Sequence, residues 1–323
     1  MSHWREELKA DPIPWVLEED NPSVRYFTLR DLLARPADDP ELLAAQRAIM
    51  TSQPVTEILQ AQYPDGYWVK PGRGYSPKYR ASVWQLIFLA QLGATRREAI
   101  DRACRSVMEN SLLPEEALFS ATKSATGIII CLNGNLIHAF TRLGYGGEER
   151  VRTVAQKLAE RIASEGFKCR ANAADRAIRE TWLPCAWGAV KALKAFASIP
   201  SPQRSPAIEE AIGRGVDLLF GRDLTVVDYP SIRGVSPLWF KFGFPLGYTS
   251  DILEAVDVLA QLGRGDDQRL QRAIQYLLAK QAEDGRWPLE HTLDRMWTKF
   301  GEKKGKPSKW VTLRALKMLS RLR

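Results

Sequence analysis

Apolar and polar residues along this chain fall into blocks with a helical rhythm. Five segments are apolar on several faces at once: 81-ASVWQLIFLAQLG-93, 132-LNGNLIHAFTRLG-144, 185-CAWGAVKALKAFA-197, 251-DILEAVDVLAQLG-263 and 311-VTLRALKMLSRLR-323. That pattern suits helices buried inside a larger assembly. Four of them are followed by a charged, amphipathic segment: 97–112, 148–163, 206–221 and 266–281. The apolar segments end 51, 53, 66 and 60 residues apart, a recurrence that marks a repeat architecture. The stretches 22-PSVRYFTLRDLLAR-35 and 39-DPELLAAQRAIM-50 supply further helix, and Asp39-Pro40 opens the second with an N-cap residue and Pro at N1. No segment carries a strong strand signal.

The connections are of two kinds. Turns from apolar to amphipathic segments are short, as in 93-GATR-96, 144-GYGG-147 and 263-GRG-265. Returns are long, over roughly 69–80, 113–130, 166–183, 222–250 and 288–310, and long loops in a compact domain are usually functional or disordered. The expectation is one all-α domain over 1–323, an α/α toroid of inner and outer helices. Residues 1–50 would form a helical extension packed on it, and an open solenoid is the alternative.

Charge sharpens this picture. The whole chain carries +8, while the five long loops alone hold 18 Lys and Arg against 9 Asp and Glu. The positive excess therefore belongs to one face of the expected ring. The same loops hold Tyr79, Trp182, Trp239, Tyr248, Trp297 and Trp310. A basic, aromatic mouth suits a hydrophobic small-molecule ligand with an anionic head. The aromatics are not arranged as in any RNA- or DNA-binding module, so nucleic acid is not expected. The start of the chain lacks a signal-peptide pattern and no apolar run is long enough to span a bilayer, so a cytoplasmic protein is expected. The sequence leaves the oligomeric state open.

Two stretches share a motif: 57-EILQAQYPDGYW-68 and 275-QYLLAKQAEDGRW-287. Each is an apolar helix, then Gln, then Asp-Gly, then Trp. Asp-Gly makes a tight turn, the Gln amide can cap backbone groups, and the Trp can seal the junction. This resembles the QW repeat of squalene and oxidosqualene cyclases, related repeats of which occur in protein prenyltransferase β subunits. The resemblance implies the toroid fold for most of the chain after about residue 50. The DxDD, DDxxD and zinc-ligand motifs of those enzymes are all missing, so their mechanisms do not transfer residue by residue.

The functional expectation is a cyclase-like enzyme with an apolar, aromatic-lined cavity, working by acid–base or carbocation chemistry without metal or other cofactor. Glu180 and Asp251, near the starts of apolar helices, are the candidate acids; the competing reading makes Asp251 a helix-dipole partner and pairs Glu180 with a neighbouring arginine. Tyr79, Arg80, Trp84, Asn133, Asn135, Trp182, Cys185, Trp239, Tyr248, Trp297, Lys309 and Trp310 are the candidate substrate-binding residues, with Asn133 also read as an N-cap. Lys303, Lys304, Lys306 and Lys309 with Lys78 and Arg80 would clamp a phosphate or carboxylate; the alternative is a solvated lysine loop. His138 and His291 read as satisfied histidines rather than metal ligands. Two other functions compete: a non-catalytic binder of an apolar anion or partner protein, and a lyase or hydrolase on an acidic saccharide. An open groove with Tyr79, Arg80, Asn133 and Arg176 would favour the last.

Overall fold

The computed structural model describes residues 3–168, 184–226 and 236–322. The chain is mostly helical. The N-terminal region holds α1 (Ile13–Val16), α2 (Pro22–Phe27, prolonged by a π-helical turn to Leu32), α3 (Pro40–Ile49) and α4 (Gln53–Gln60). Five apolar helices follow: α5 (Ser82–Leu92), α7 (Ile130–Phe140), α9 (Ala186–Ala197), α11 (Ile252–Leu259) and α13 (Lys309–Leu319). Between them run the amphipathic helices α6 (Glu98–Ser111), α8 (Glu149–Glu165), α10 (Pro206–Phe220) and α12 (Gln271–Ala279). Both series coincide with the segments expected from the hydrophobic pattern.

Local chemistry sets the helix ends. Asp39 accepts from the Leu42 amide at 3.0 Å and Pro40 occupies the first turn, as the sequence indicated. Asn21, Ser205, Asp251 and Ser308 cap α2, α10, α11 and α13 in the same way. Gly93 ends α5 with φ +77°. A β-carbon there would lie 2.8 Å from the Phe27 ring, so glycine serves both the left-handed turn and the close approach of α2.

Packing follows burial. Ten of the eleven α5 side chains are buried, including Trp84, Phe88 and Gln85. Apolar helices pack on one another in chain order: α5 on α7, α7 on α9, α9 on α11 and α11 on α13. Each amphipathic helix covers the apolar helix before it, as α6 covers α5 and α8 covers α7. The last helix, α13, then meets α1, α2 and the π-helical turn.

Two local expectations change. A small antiparallel hairpin, β1 (Leu112–Leu113) and β2 (Leu118–Phe119), sits in a loop where no strand was expected, with Leu112 opposite Phe119. Asn133 lies inside α7 rather than at its N-cap. Its amide accepts from the Phe119 N–H at 2.8 Å and donates to the Phe119 and Ile129 carbonyls at 2.9 and 3.0 Å. Those bonds satisfy the hairpin backbone edge that a two-residue strand leaves open.

Candidate functional site

The two Gln–Trp motifs form near-identical junctions. In the first, the Trp68 indole donates to Ile58 O at 2.7 Å and the Trp68 amide to the Ser82 hydroxyl at 3.0 Å. In the second, the Trp287 indole donates to Leu277 O at 2.8 Å and the Trp287 amide to the Thr312 hydroxyl at 3.0 Å. Each buried tryptophan thus ties the end of one helix to the first turns of the apolar helix that follows. Gln62 and Gln281 donate to Gly66 O and Gly285 O across their turns. These residues are structural.

The starts of the apolar helices carry an aromatic and cationic surface. Tyr79 lies edge-on to Trp84, with centroids 5.1 Å apart, and parallel to Tyr248 at 6.3 Å. Burial and the neighbouring Tyr248 push the Tyr79 hydroxyl pKa far up, so it acts only as a neutral donor or acceptor. Lys78 sits over the Tyr248 ring at 4.4 Å and Arg80 over Trp297 at 3.9 Å. The Trp297 indole returns a bond to Arg80 O at 2.8 Å, and Asn135 holds the Gly247 carbonyl at 3.0 Å. Six of the expected binding residues therefore converge: Tyr79, Arg80, Trp84, Asn135, Tyr248 and Trp297.

Other expected residues are used up by the fold. Asp251 caps α11 through the Glu254 amide at 2.8 Å and receives Arg314 on both oxygens at 2.6 and 2.9 Å. With both carboxylate oxygens occupied, Asp251 anchors α11 to Arg314 and is not free to face a ligand as the expected acid would. Cys185 caps α9, Trp239 donates to Leu224 O at 3.0 Å, and Trp310 stacks on Phe244 at 3.8 Å. Lys309 is paired to Glu18 at 2.6 Å and to Asp20, which removes it from the expected clamp. His138 is not a satisfied histidine, since its buried Nδ1 has no hydrogen-bond partner. Glu180, Trp182 and Arg176 lie outside the described residues.

Among the described residues, aromatics and ion pairs lie between the apolar helices. Phe300 meets Phe88 and Phe244 edge-on at 5.8 and 5.5 Å. Deeper, the fully buried Lys191 pairs with Glu254 at 2.6 Å, joined by Lys194 at 2.9 Å. Burial alone would push Glu254 up. Lys191, Lys194 and Arg314 outweigh it and hold the carboxyl well below the usual range. An ionised group there needs all its partners, because an unpaired buried charge is costly.

A cleft of about 550 Å³ opens beside α13. Trp15, Phe300 and Trp310 give it an aromatic wall, and Lys299, Lys303 and Lys306 line its rim. Glu302, half-buried, also lines it and accepts from the Trp310 amide at 3.1 Å and from the Ser308 hydroxyl. Burial raises the Glu302 pKa, and those hydrogen bonds offset the effect only in part. Glu302 is the acid that sequence reasoning missed. The available signal was a lone carboxylate among lysines just ahead of an apolar helix. Among the described residues, no helix is long and apolar enough to cross a membrane. No family model and no curated protein matches this chain.

Proposed function

We propose that the helices close into an α/α toroid and that the protein binds a small ligand with a flat apolar body and an anionic head in the cleft beside α13. The ring reading rests on α13 packing against α2 while the Phe27 side chain of α2 abuts Gly93 at the end of α5. One arrangement carries the ligand reading: the half-buried Glu302, whose pKa burial raises, between the aromatic wall and a lysine rim. Lysines attract the anionic head, the wall covers the body, and Glu302 in its protonated form donates a hydrogen bond or a proton to the ligand. Among the described residues this favours ligand binding with acid assistance over carbocation cyclisation, which needs an empty aromatic chamber. The saccharide reading loses support, since Asn133 is fully buried and occupied.

The test is calorimetric titration with 1-naphthoate and geranylgeranyl diphosphate, alongside native mass spectrometry of the purified protein. Binding of the flat carboxylate is expected to weaken in a Lys303→Ala/Lys306→Ala variant. It should also weaken as pH rises through the elevated Glu302 pKa, and Glu302→Gln should remove that dependence. Preference for the isoprenoid would return the cyclase reading to first place. Failure of both probes with no co-purifying ligand would overturn the proposal.

A further inference from the structure

The opposite ends of the apolar helices bring together a second set of charged groups, unrelated to the cleft. Arg142 follows the end of α7, Lys194 lies in the last turn of α9, and Lys317 and Arg321 lie at the end of α13. Arg30 comes from the π-helical turn after α2. Three of these converge on one ring: Arg30, Arg142 and Lys317 approach Phe27 at 5.0, 5.6 and 5.3 Å.

The acids within this group are each already taken. Asp31 pairs with Arg30 at 2.5 Å and Lys317 at 2.6 Å. Asp257 pairs with Arg321, Asp251 with Arg314, and Glu254 with Lys191 and Lys194. Leaving aside the Arg314–Asp251 pair at the start of α11, six cations stand against three carboxylates, an excess of three positive charges. Arg142 is the cation left over: among the described residues it has neither a hydrogen bond nor an ion pair. Crowding by protein and the charges of Arg30 and Arg321 depress its pKa, although solvent reaches it. Beside it, His138 is depressed by burial and then by Lys194 and Arg142, and its Nδ1 is buried without a partner. Helix C-terminal carbonyls attract cations here, but they leave the five N–H donors of Arg142 unused.

We propose that this cluster, with Arg142 as its principal ligand, binds a multivalent phosphate-type oxyanion at the short-turn end of the helical ring. The planar fork of Arg142 presents paired donors that match phosphate oxygens. Lys194 and Arg321 supply compensating charge from two other helices, and neutral His138 offers a further ring nitrogen. An anion there would relieve the mutual repulsion of Arg142, Arg30 and Arg321. The site is formed by side chains of four elements rather than by one helix end.

The experiment titrates the full chain with inorganic phosphate, pyrophosphate and myo-inositol hexakisphosphate, by calorimetry and thermal shift, in a phosphate-free buffer. Potassium chloride at matched ionic strength serves as control. Tighter binding with increasing anion charge is expected, with the response saturating. Arg142→Ala should weaken binding about tenfold or more, the worth of one charge-assisted contact. Arg142→Lys should restore only part of it. Without anion, Arg142→Ala is expected to raise Tm, because it removes a repelled charge and breaks no hydrogen bond or ion pair. That signature separates a ligand site from a structural arginine. The Lys303→Ala/Lys306→Ala cleft variant should keep wild-type pyrophosphate affinity. Loss of affinity in the cleft variant instead, a response matched by potassium chloride, or wild-type affinity in Arg142→Ala would each overturn the assignment.

Discussion

The two Gln–Trp junctions use the same bonds to hold different partners. At the first, Gln62 donates to Ala99 O at 2.9 Å, and a β-carbon on Gly66 would lie 2.3 Å from Arg102 O. The neighbour is α6, the next amphipathic helix. At the second, Gln281 accepts from the Lys9 amide at 2.9 Å, and a β-carbon on Gly285 would lie 2.3 Å from Ala10 O. Here the neighbour is the N-terminal segment, which takes the place that α6 takes in the first. Where the helical series ends, the other end of the chain supplies the missing neighbour. Repeat assemblies need such a cap, since a terminal unit otherwise leaves a face uncovered.

The largest effects should come from what the junctions share. Trp68→Ala and Trp287→Ala are each expected to cost about 3–5 kcal/mol, through a large cavity and an unpaired helix carbonyl. Denaturant unfolding of both variants checks this, and a cost confined to one would break the equivalence. Gly66→Ala and Gly285→Ala should follow. Each forces a left-handed φ, at about 1–2 kcal/mol, and adds a clash with a backbone oxygen. Deleting residues before Asp11 should relieve only the Gly285 clash. A double-mutant cycle on Tm would show coupling for Gly285→Ala and none for Gly66→Ala. Coupling at neither position would mean that the N-terminal segment is not a cap.

Gln62→Leu and Gln281→Leu should then differ. Gln281 is 2% exposed and serves two backbone groups, so its loss should cost about 1–3 kcal/mol. Gln62 is less buried, and about 1 kcal/mol is expected. Equal costs from chemical denaturation would argue that the Lys9 bond contributes nothing.

The smallest effect concerns pH and arises away from the junction tryptophans and glutamines. The His138 pKa is lowered in the folded state, so the unfolded chain binds its proton more tightly. Stability from this group is present above about pH 6.5, the ordinary histidine value, and is lost on acidification. The slope is at most about 1.4 kcal/mol per pH unit for one proton. Unfolding midpoints between pH 7.5 and 5.5 should therefore fall in the wild type and in both tryptophan variants, and fall less in His138→Phe.

How much was legible in the sequence differs by element. The helices were, because each apolar run is long and periodic, and three of the five end at Gly. The Asp39 cap and the Asp-Gly turns were, because they depend on neighbours within a few residues. The small hairpin was not, since two residues per strand carry no pattern and its edge is satisfied by Asn133, fourteen residues away. Asp251 was read as one of two candidate acids. Its partner Arg314 lies sixty-three residues on, so nothing local shows that both carboxylate oxygens are occupied. Glu302 was overlooked because a carboxylate among lysines reads as solvated until burial is known.

By itself, then, the sequence determined the order of helices, the Asp39 cap and the Asp-Gly turns, and the loops in which positive charge accumulates, all properties of short windows and period. The tertiary structure decided which acids are paired, which cation is left over, and which segment covers the last junction. Electrostatic satisfaction depends on distances across the fold, and burial changes the pKa of a group in ways that composition cannot express.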